Sequence, residues 1–231
     1  MPENLSIAVC VSDDVTLSDF IPPIEIISGI NDVDHPVFGA AMGEVLYQVS
    51  FEYLSPTLAP VVSTKGSCAP TFNPTMTYTD ALASGKQFDI LWVPAGPMPD
   101  HKMGKSHTAK DEIDFIAAQA PKAKYIMSVC GGSFHLAEAS VLSGKWATMN
   151  KALNRRIVAA TPKDIQWVPK ARWVVDSNIW TSSGVTAGSD MALAFVEHLV
   201  GKKATTVIHG VIEIPEVKDQ DDPFATFHGL V

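Results

Sequence analysis

The sequence lacks most of the features that would classify it by composition. It has three cysteines, Cys10, Cys68 and Cys130, an odd number without tight spacing. Neither a disulfide framework nor a zinc-ligand set is built that way, and no pair of histidines has ligand spacing, so no metal is expected. Charged residues make up only 18% of the chain, and the formal net charge is -8. Its densest basic spots, Lys122–Lys124, Arg155–Arg156 and Lys202–Lys203, suit solvated helix ends and loops. Nucleic-acid binding needs clustered cations, so it is not expected here. Long apolar runs are absent too: none approaches the ~20 residues needed to cross a bilayer. The start, Met1-Pro2-Glu3-Asn4, carries no basic region, and a soluble, cytoplasmic protein is expected. No glycine fingerprint follows the first apolar run, which leaves a nucleotide cofactor unsupported. Without repeats or low-complexity linkers, residues 1–231 read as one domain, with about 212–231 as a surface-packed tail.

What is present is an alternation of short apolar runs with helical patterns, in a chain that is 46% hydrophobic. Leu5 to Val11, Phe88 to Val93 and Tyr125 to Val129 are nearly continuous apolar runs, as expected of strands buried on both faces. Tyr47 to Leu54 and Val61 to Lys65 read as further strands, and Thr71 to Tyr78 as a hairpin-like piece. Asp176-Ser177-Asn178 separates Trp173–Val175 from Ile179–Thr181 in a second hairpin. Helices are expected from Pro22, from Ala109 to Ala120, from Gly132 to Val141, from Val185 to Val200 and from Ala204 to Val211. This order predicts an α/β fold: a mainly parallel central sheet with helices on both faces, in three layers.

Within that pattern one cysteine stands out. In Ser128-Val129-Cys130-Gly131-Gly132, small residues lie two positions before and two after the thiol, between a strand and a helix. A tight nucleophile elbow requires this spacing, because bulky neighbours would clash. Cys130 would then sit at a helix N-terminus, where the dipole favours the thiolate, with the Gly131 N–H facing a developing negative charge. A buried, inert cysteine at a helix start is the plainer alternative.

The run Tyr125 to Thr148 resembles the nucleophile region of the ThiJ/PfpI superfamily, and most closely its isonitrile hydratase-like branch. Trp180 to Asp190 resembles that branch's glycine-rich strand-to-helix segment. Asp19-Phe-Ile-Pro-Pro23-Ile-Glu25 resembles its acidic segment after the first strand, and Val93-Pro94-Ala95-Gly96 its Pro-Gly-Gly loop. Asp222-Pro223-Phe224-Ala225 looks like the ending of fungal members. The resemblance implies the flavodoxin-like, class I glutamine amidotransferase-like fold and a homodimer. It also implies that Asp19 contacts Cys130 and exchanges protons with it, where composition alone would read Asp19 as a turn or helix-capping residue.

The departures narrow the chemistry. Gly131 stands where protease-like members carry histidine, which removes the usual Cys–His base and argues against peptidase activity. It also differs from the threonine of the hydratases. Ala95 replaces a glycine, and alanine would be strained if that position needed positive φ. Asn150 stands where the hydratases carry histidine; it could orient a substrate, although capping the segment that starts at Lys151 explains it equally simply. Gly96, Gly131 and Ala95 are the candidate charge-stabilising or substrate-binding backbone positions, with His101 as an accessory base. The helical period points His135 away from the thiol. The expected function is a cysteine-dependent, cofactor-free hydratase or lyase acting on a small electrophile. Alternatives are a glyoxalase-like enzyme on reactive dicarbonyls, a redox sensor using an oxidisable Cys130, or an enzyme dedicated to one natural product.

Overall fold

A computed structural model describes residues 2–63, 69–98 and 107–231. Its main sheet has seven strands: β1 Glu3–Cys10, β2 Tyr47–Ser55, β3 Met76–Thr77, β4 Ile90–Val93, β5 Tyr125–Val129, β6 Trp173–Asp176 and β7 Ile179–Ser182. Their spatial order is β6-β7-β5-β4-β1-β2-β3, and every neighbouring pair is parallel except the β6–β7 hairpin. The helices that matter for the site are α1 Ile21–Ser28, α2 Lys110–Gln119, α3 Gly132–Glu138, α4 Asn154–Ala160 and α5 Thr186–Ile212.

The continuous apolar strands become intelligible in this arrangement. Leu5, Ile7 and Val9 of β1 pack with Ile24, Ile27, Met191 and Phe195 from α1 and α5. The alternate residues Ala8 and Cys10 pack on the opposite face with Phe115, Ile116 and Leu136 from α2 and α3. A strand side chain alternates faces at each step, so a strand covered on both sides must be apolar throughout. This is the predicted three-layer α/β architecture.

Two local expectations, a hairpin over Thr71 to Tyr78 and the end of helix α3, need correction. Thr71 to Tyr78 is not a hairpin: Thr71–Phe72 pairs antiparallel with Val61–Val62, whereas β3 extends the main sheet beside β2. Thr77 then ends the strand by capping the helix Tyr78–Ala83, its Oγ1 accepting the Asp80 N–H at 3.0 Å. The strand expected over Val61 to Lys65 is described only in part, with regular pairing at Val61–Val62. Helix α3 stops at Glu138 instead of Val141, where Ser140 takes a left-handed φ of 60°. The two helices expected at the end are the two arms of α5, which breaks at Gly201 (φ 79°, ψ 165°).

The topology also fixes where a site can form. The chain steps outward from β1 to β2 and β3, then crosses to β4 on the other side of β1. Loops leaving β1 and β4 therefore diverge, and in open parallel sheets the crevice at such a switch point is the usual ligand position. Asp19 follows β1, Ala95 follows β4, Cys130 follows β5 and Ser183 follows β7. All four lie beyond the carboxyl ends of adjacent strands.

Candidate active site

Cys130 occupies a strained elbow. Its φ of 61° is left-handed, which a non-glycine residue adopts only where the surroundings over-determine it. The surroundings do so here: the Cys130 N–H donates to Ser183 O at 2.9 Å and to Ser182 O at 3.1 Å, tying the elbow to the end of β7. The need for small residues is equally direct. A Cβ on Gly132 would stand 2.0 Å from the Val93 carbonyl oxygen, so only glycine lets α3 start this close to β4. Ser128 is fully buried, and its hydroxyl meets that of Ser133 at 3.0 Å.

Asp19 is fully buried beside the cysteine. Its backbone carbonyl accepts the Trp92 indole N–H at 3.1 Å, and its Oδ2 accepts the Ala95 N–H at 3.2 Å. The other oxygen, Oδ1, is buried without a hydrogen-bond partner. Burial pushes this carboxyl up from 3.8 to about 6, against the lowering pull of the Ala95 and Val185 amides and of the Cys130 thiol. Val185 presents its amide from a second left-handed residue, φ 41°, at the head of α5.

The sulfur sits among opposing influences. Burial first, and then the Asp19 carboxylate, push the Cys130 thiol up from 9.0 to about 12, while Asn150 and the Gly131 N–H favour the thiolate. The dipole-activated, low-pKa thiol expected from the elbow is therefore not what the environment produces. A single charge shared by two buried acids, 8% and 0% exposed, is cheaper than two, so the pair holds one proton between them at neutral pH.

Asn150 fills the capping role that the sequence offered it and also reaches the sulfur. Its Oδ1 caps the turn Lys151–Leu153 by accepting the Ala152 N–H at 2.9 Å, and its Nδ2 donates to Cys130 Sγ at 3.3 Å. Gly184 makes the reach possible, since a Cβ there would lie 2.7 Å from Asn150 Nδ2. Neither Ala95 nor Gly96 has positive φ, so alanine carries no strain at its position. The Ala95 N–H is committed to Asp19 and is not a free donor for substrate. A Cβ on Gly131 would stand 2.8 Å from Met98 Sδ and 3.3 Å from the Ala95 Cβ, so Met98 occupies the space that a side chain after the cysteine would need. The candidate base His101 lies outside the described residues.

One polar group near the site was not anticipated. His135 does point away from the thiol, as the helical period required, but it is buried against the same loop that Asp19 holds. Its Nδ1 lies 3.1 Å from Glu112 Oε1, its Nε2 lies 3.2 Å from Pro97 O, and Glu112 Oε2 accepts the Ser12 hydroxyl. With an acceptor at each ring nitrogen, the ring is satisfied as imidazolium. Burial alone would lower its pKa, but the Glu112 carboxylate raises it overall. Both side chains are about 1% exposed. The only hint in the sequence was an acidic residue in the amphipathic α2 at a position that turns out to face inward. Among the described residues no three metal-ligating side chains converge, and no helix is long and apolar enough to cross a membrane.

Comparison with known proteins agrees with this construction. Residues 5–198 match the DJ-1/PfpI family. The isonitrile hydratase of Pseudomonas putida is 34% identical over 158 residues, which cover 68% of this chain and 62% of that enzyme. The crystal structure of a ThiJ/PfpI family protein from Pseudomonas syringae superposes with a TM-score of 0.70 at 25% identity, covering 96% of this chain and 78% of that one. Drosophila melanogaster DJ-1beta shares the fold with a TM-score of 0.69 at 19% identity, covering 93% of this chain and all of that one (100%). A strained cysteine elbow on a switch-point sheet, matched over this span, places the chain in the DJ-1/PfpI family.

Proposed function

We propose that this protein is a cofactor-free enzyme that adds water across a small polarised multiple bond, with Cys130 as nucleophile and Asp19 as its proton partner. The observation that carries the reading is the buried Cys130–Asp19 pair, with Asn150 Nδ2 at 3.3 Å from the sulfur and Asp19 Oδ1 unpartnered. A buried carboxylate beside the thiol can accept its proton as sulfur bonds to carbon, and return it within one cycle. The P. putida relative, an isonitrile hydratase by name, supports the hydration type. The matched stretch spans 62% of that enzyme, and the substrate assignment is ours.

For an isonitrile the atoms balance without any cofactor. Sulfur bonds to the terminal carbon while the thiol proton, relayed by Asp19, is delivered to the same carbon, giving a thioimidate. Water then adds to that carbon, the C–S bond breaks, the nitrogen gains a proton, and the products are an N-substituted formamide and the free thiol. Asn150 Nδ2 and the Gly131 N–H face the sulfur and stabilise it as it gains or recovers charge.

The test is formamide formation from a panel of small isonitriles by wild type, Cys130→Ala and Asp19→Asn. Wild type should turn over, Cys130→Ala should fall to background, and Asp19→Asn should retain a modifiable thiol with little activity. Full activity in either variant overturns the mechanism.

A further inference from the structure

Lined by neither Cys130 nor Asp19, but adjoining both through their neighbours, lies a cleft of about 280 Å³ that the reaction steps above do not use. Its inner wall is built from residues that already touch the pair: Asn150, which donates to the sulfur, and Val185, whose amide faces the Asp19 carboxyl. Its outer wall is the C-terminal segment, through Asp222 and Phe224. That segment is fastened by buried polar contacts. Arg172 pairs with Asp190 through both Nε, at 2.9 Å, and Nη2, and the Val217 N–H donates to Asp190 Oδ1 at 3.2 Å. The Arg172 N–H donates to Asp219 O at 2.6 Å. Farther along, Lys151 Nζ meets Asp222 Oδ2 at 3.2 Å, both side chains being about 1% exposed.

These contacts decide the character of the cleft. Two cations, Lys151 and Arg172, line it, and each is already matched by a buried carboxylate. Lys151 spends its remaining donors on Thr148 Oγ1 at 2.6 Å and Ala171 O at 2.7 Å. An anionic ligand would have to displace an internal partner, which leaves a buried carboxylate unpaired. The apolar part of the surface is supplied by Val185, Ala152, Ala187 and half-exposed Phe224, beside His228 and the hydroxyl residues Ser183 and Thr186. A cavity of ~150 Å³ is enough to accept a benzene ring.

We propose that this cleft binds the substituent of the electrophile, that it selects neutral aryl or branched alkyl groups, and that Phe224 and Asp222 of the C-terminal segment set the selection. The inference rests on the reading of Cys130 as a nucleophile and adds the class of substrate. Phe224 supplies an apolar wall. Asp222 neutralises Lys151 and so prevents the cleft from recruiting carboxylates.

The experiment compares alkylation of Cys130 by iodoacetamide, N-benzyl-iodoacetamide and N-iodoacetyl-glycine, each rate divided by that of glutathione with the same reagent. In every case sulfur displaces iodide, so the three differ only in the substituent. Wild type should favour the benzyl reagent over iodoacetamide by about tenfold and disfavour the carboxylate reagent. Phe224→Ala should reduce the benzyl preference by about threefold or more. Asp222→Asn should raise the rate with the carboxylate reagent, because Lys151 loses its partner. Circular dichroism of each variant confirms folding, and half-exposed Phe224 provides the readout should Asp222→Asn unfold. Ready alkylation with equal normalised rates in wild type and both variants overturns the cleft assignment alone. A Cys130 that none of the three reagents modifies overturns the nucleophile reading, and this inference with it.

Discussion

Two buried carboxylates hold the same loop, residues 94–98, and the protein treats them in opposite ways. Glu112 has both oxygens engaged, one by His135 and one by Ser12, and His135 in turn holds Pro97 O at 3.2 Å. Asp19 holds the Ala95 N–H with one oxygen and leaves the other unpartnered beside a thiol. A fully satisfied buried network rigidifies its surroundings, whereas a half-satisfied one costs stability and stays available for chemistry. The difference teaches which group is scaffold and which is reagent, although both are acidic side chains hidden from water. The influences on Cys130 say the same: Asp19 acts on the sulfur's titration, and Glu112 is not among them.

Substitution can sharpen or break that contrast. The largest effect is expected at the scaffold pair. Glu112→Gln or His135→Leu removes one partner of a buried ion pair and should cost about 3–5 kcal/mol in urea unfolding. A loss below about 1 kcal/mol would mean that the pair does not anchor the loop.

Asp19→Asn should move stability the other way. The folded carboxyl titrates at about 6 instead of 3.8, so its favourable contribution is complete below pH 3.8 and is lost as pH rises through 6. Asparagine carries no such loss, and at pH 8 the variant should be more stable by up to about 3 kcal/mol, a margin that vanishes near pH 4. Paired unfolding curves at pH 4 and pH 8 measure it, and a variant destabilised equally at both would reverse the assignment of Asp19 as the strained partner. The same variant should lower the apparent pKa for iodoacetamide alkylation of Cys130, since the Asp19 carboxylate is one of the two main influences raising it.

The smallest effect belongs to Asn150→Ala, which removes one hydrogen bond to sulfur and one cap. Cys130 should become still harder to ionise, by about one pH unit or less, with a stability loss of about 1 kcal/mol. An unchanged alkylation profile would reduce Asn150 to a capping residue.

The sequence by itself determined the layered architecture, because strands covered on both faces must be continuously apolar and helices between them must be amphipathic. Leu5 to Val11 and Tyr125 to Val129 carry that requirement in their composition, and the β1 and β5 strands follow it. It also determined the elbow, since Gly132 is dictated by a Val93 carbonyl 2.0 Å from where a Cβ would be. Only the tertiary structure decided the electrostatics. That Asp19 meets Cys130 depends on the crossing from β1 to β4 and β5, which no local pattern records. The thiol's resistance to ionisation comes from burial and from a carboxylate more than a hundred positions away, so the helix-start pattern alone suggested the opposite. Glu112 and His135 were invisible for the same reason: an acidic residue in an amphipathic helix looks solvated until a neighbouring helix supplies its partner. Backbone requirements are local and written in residue size and polarity, whereas a charge is set by everything packed around it.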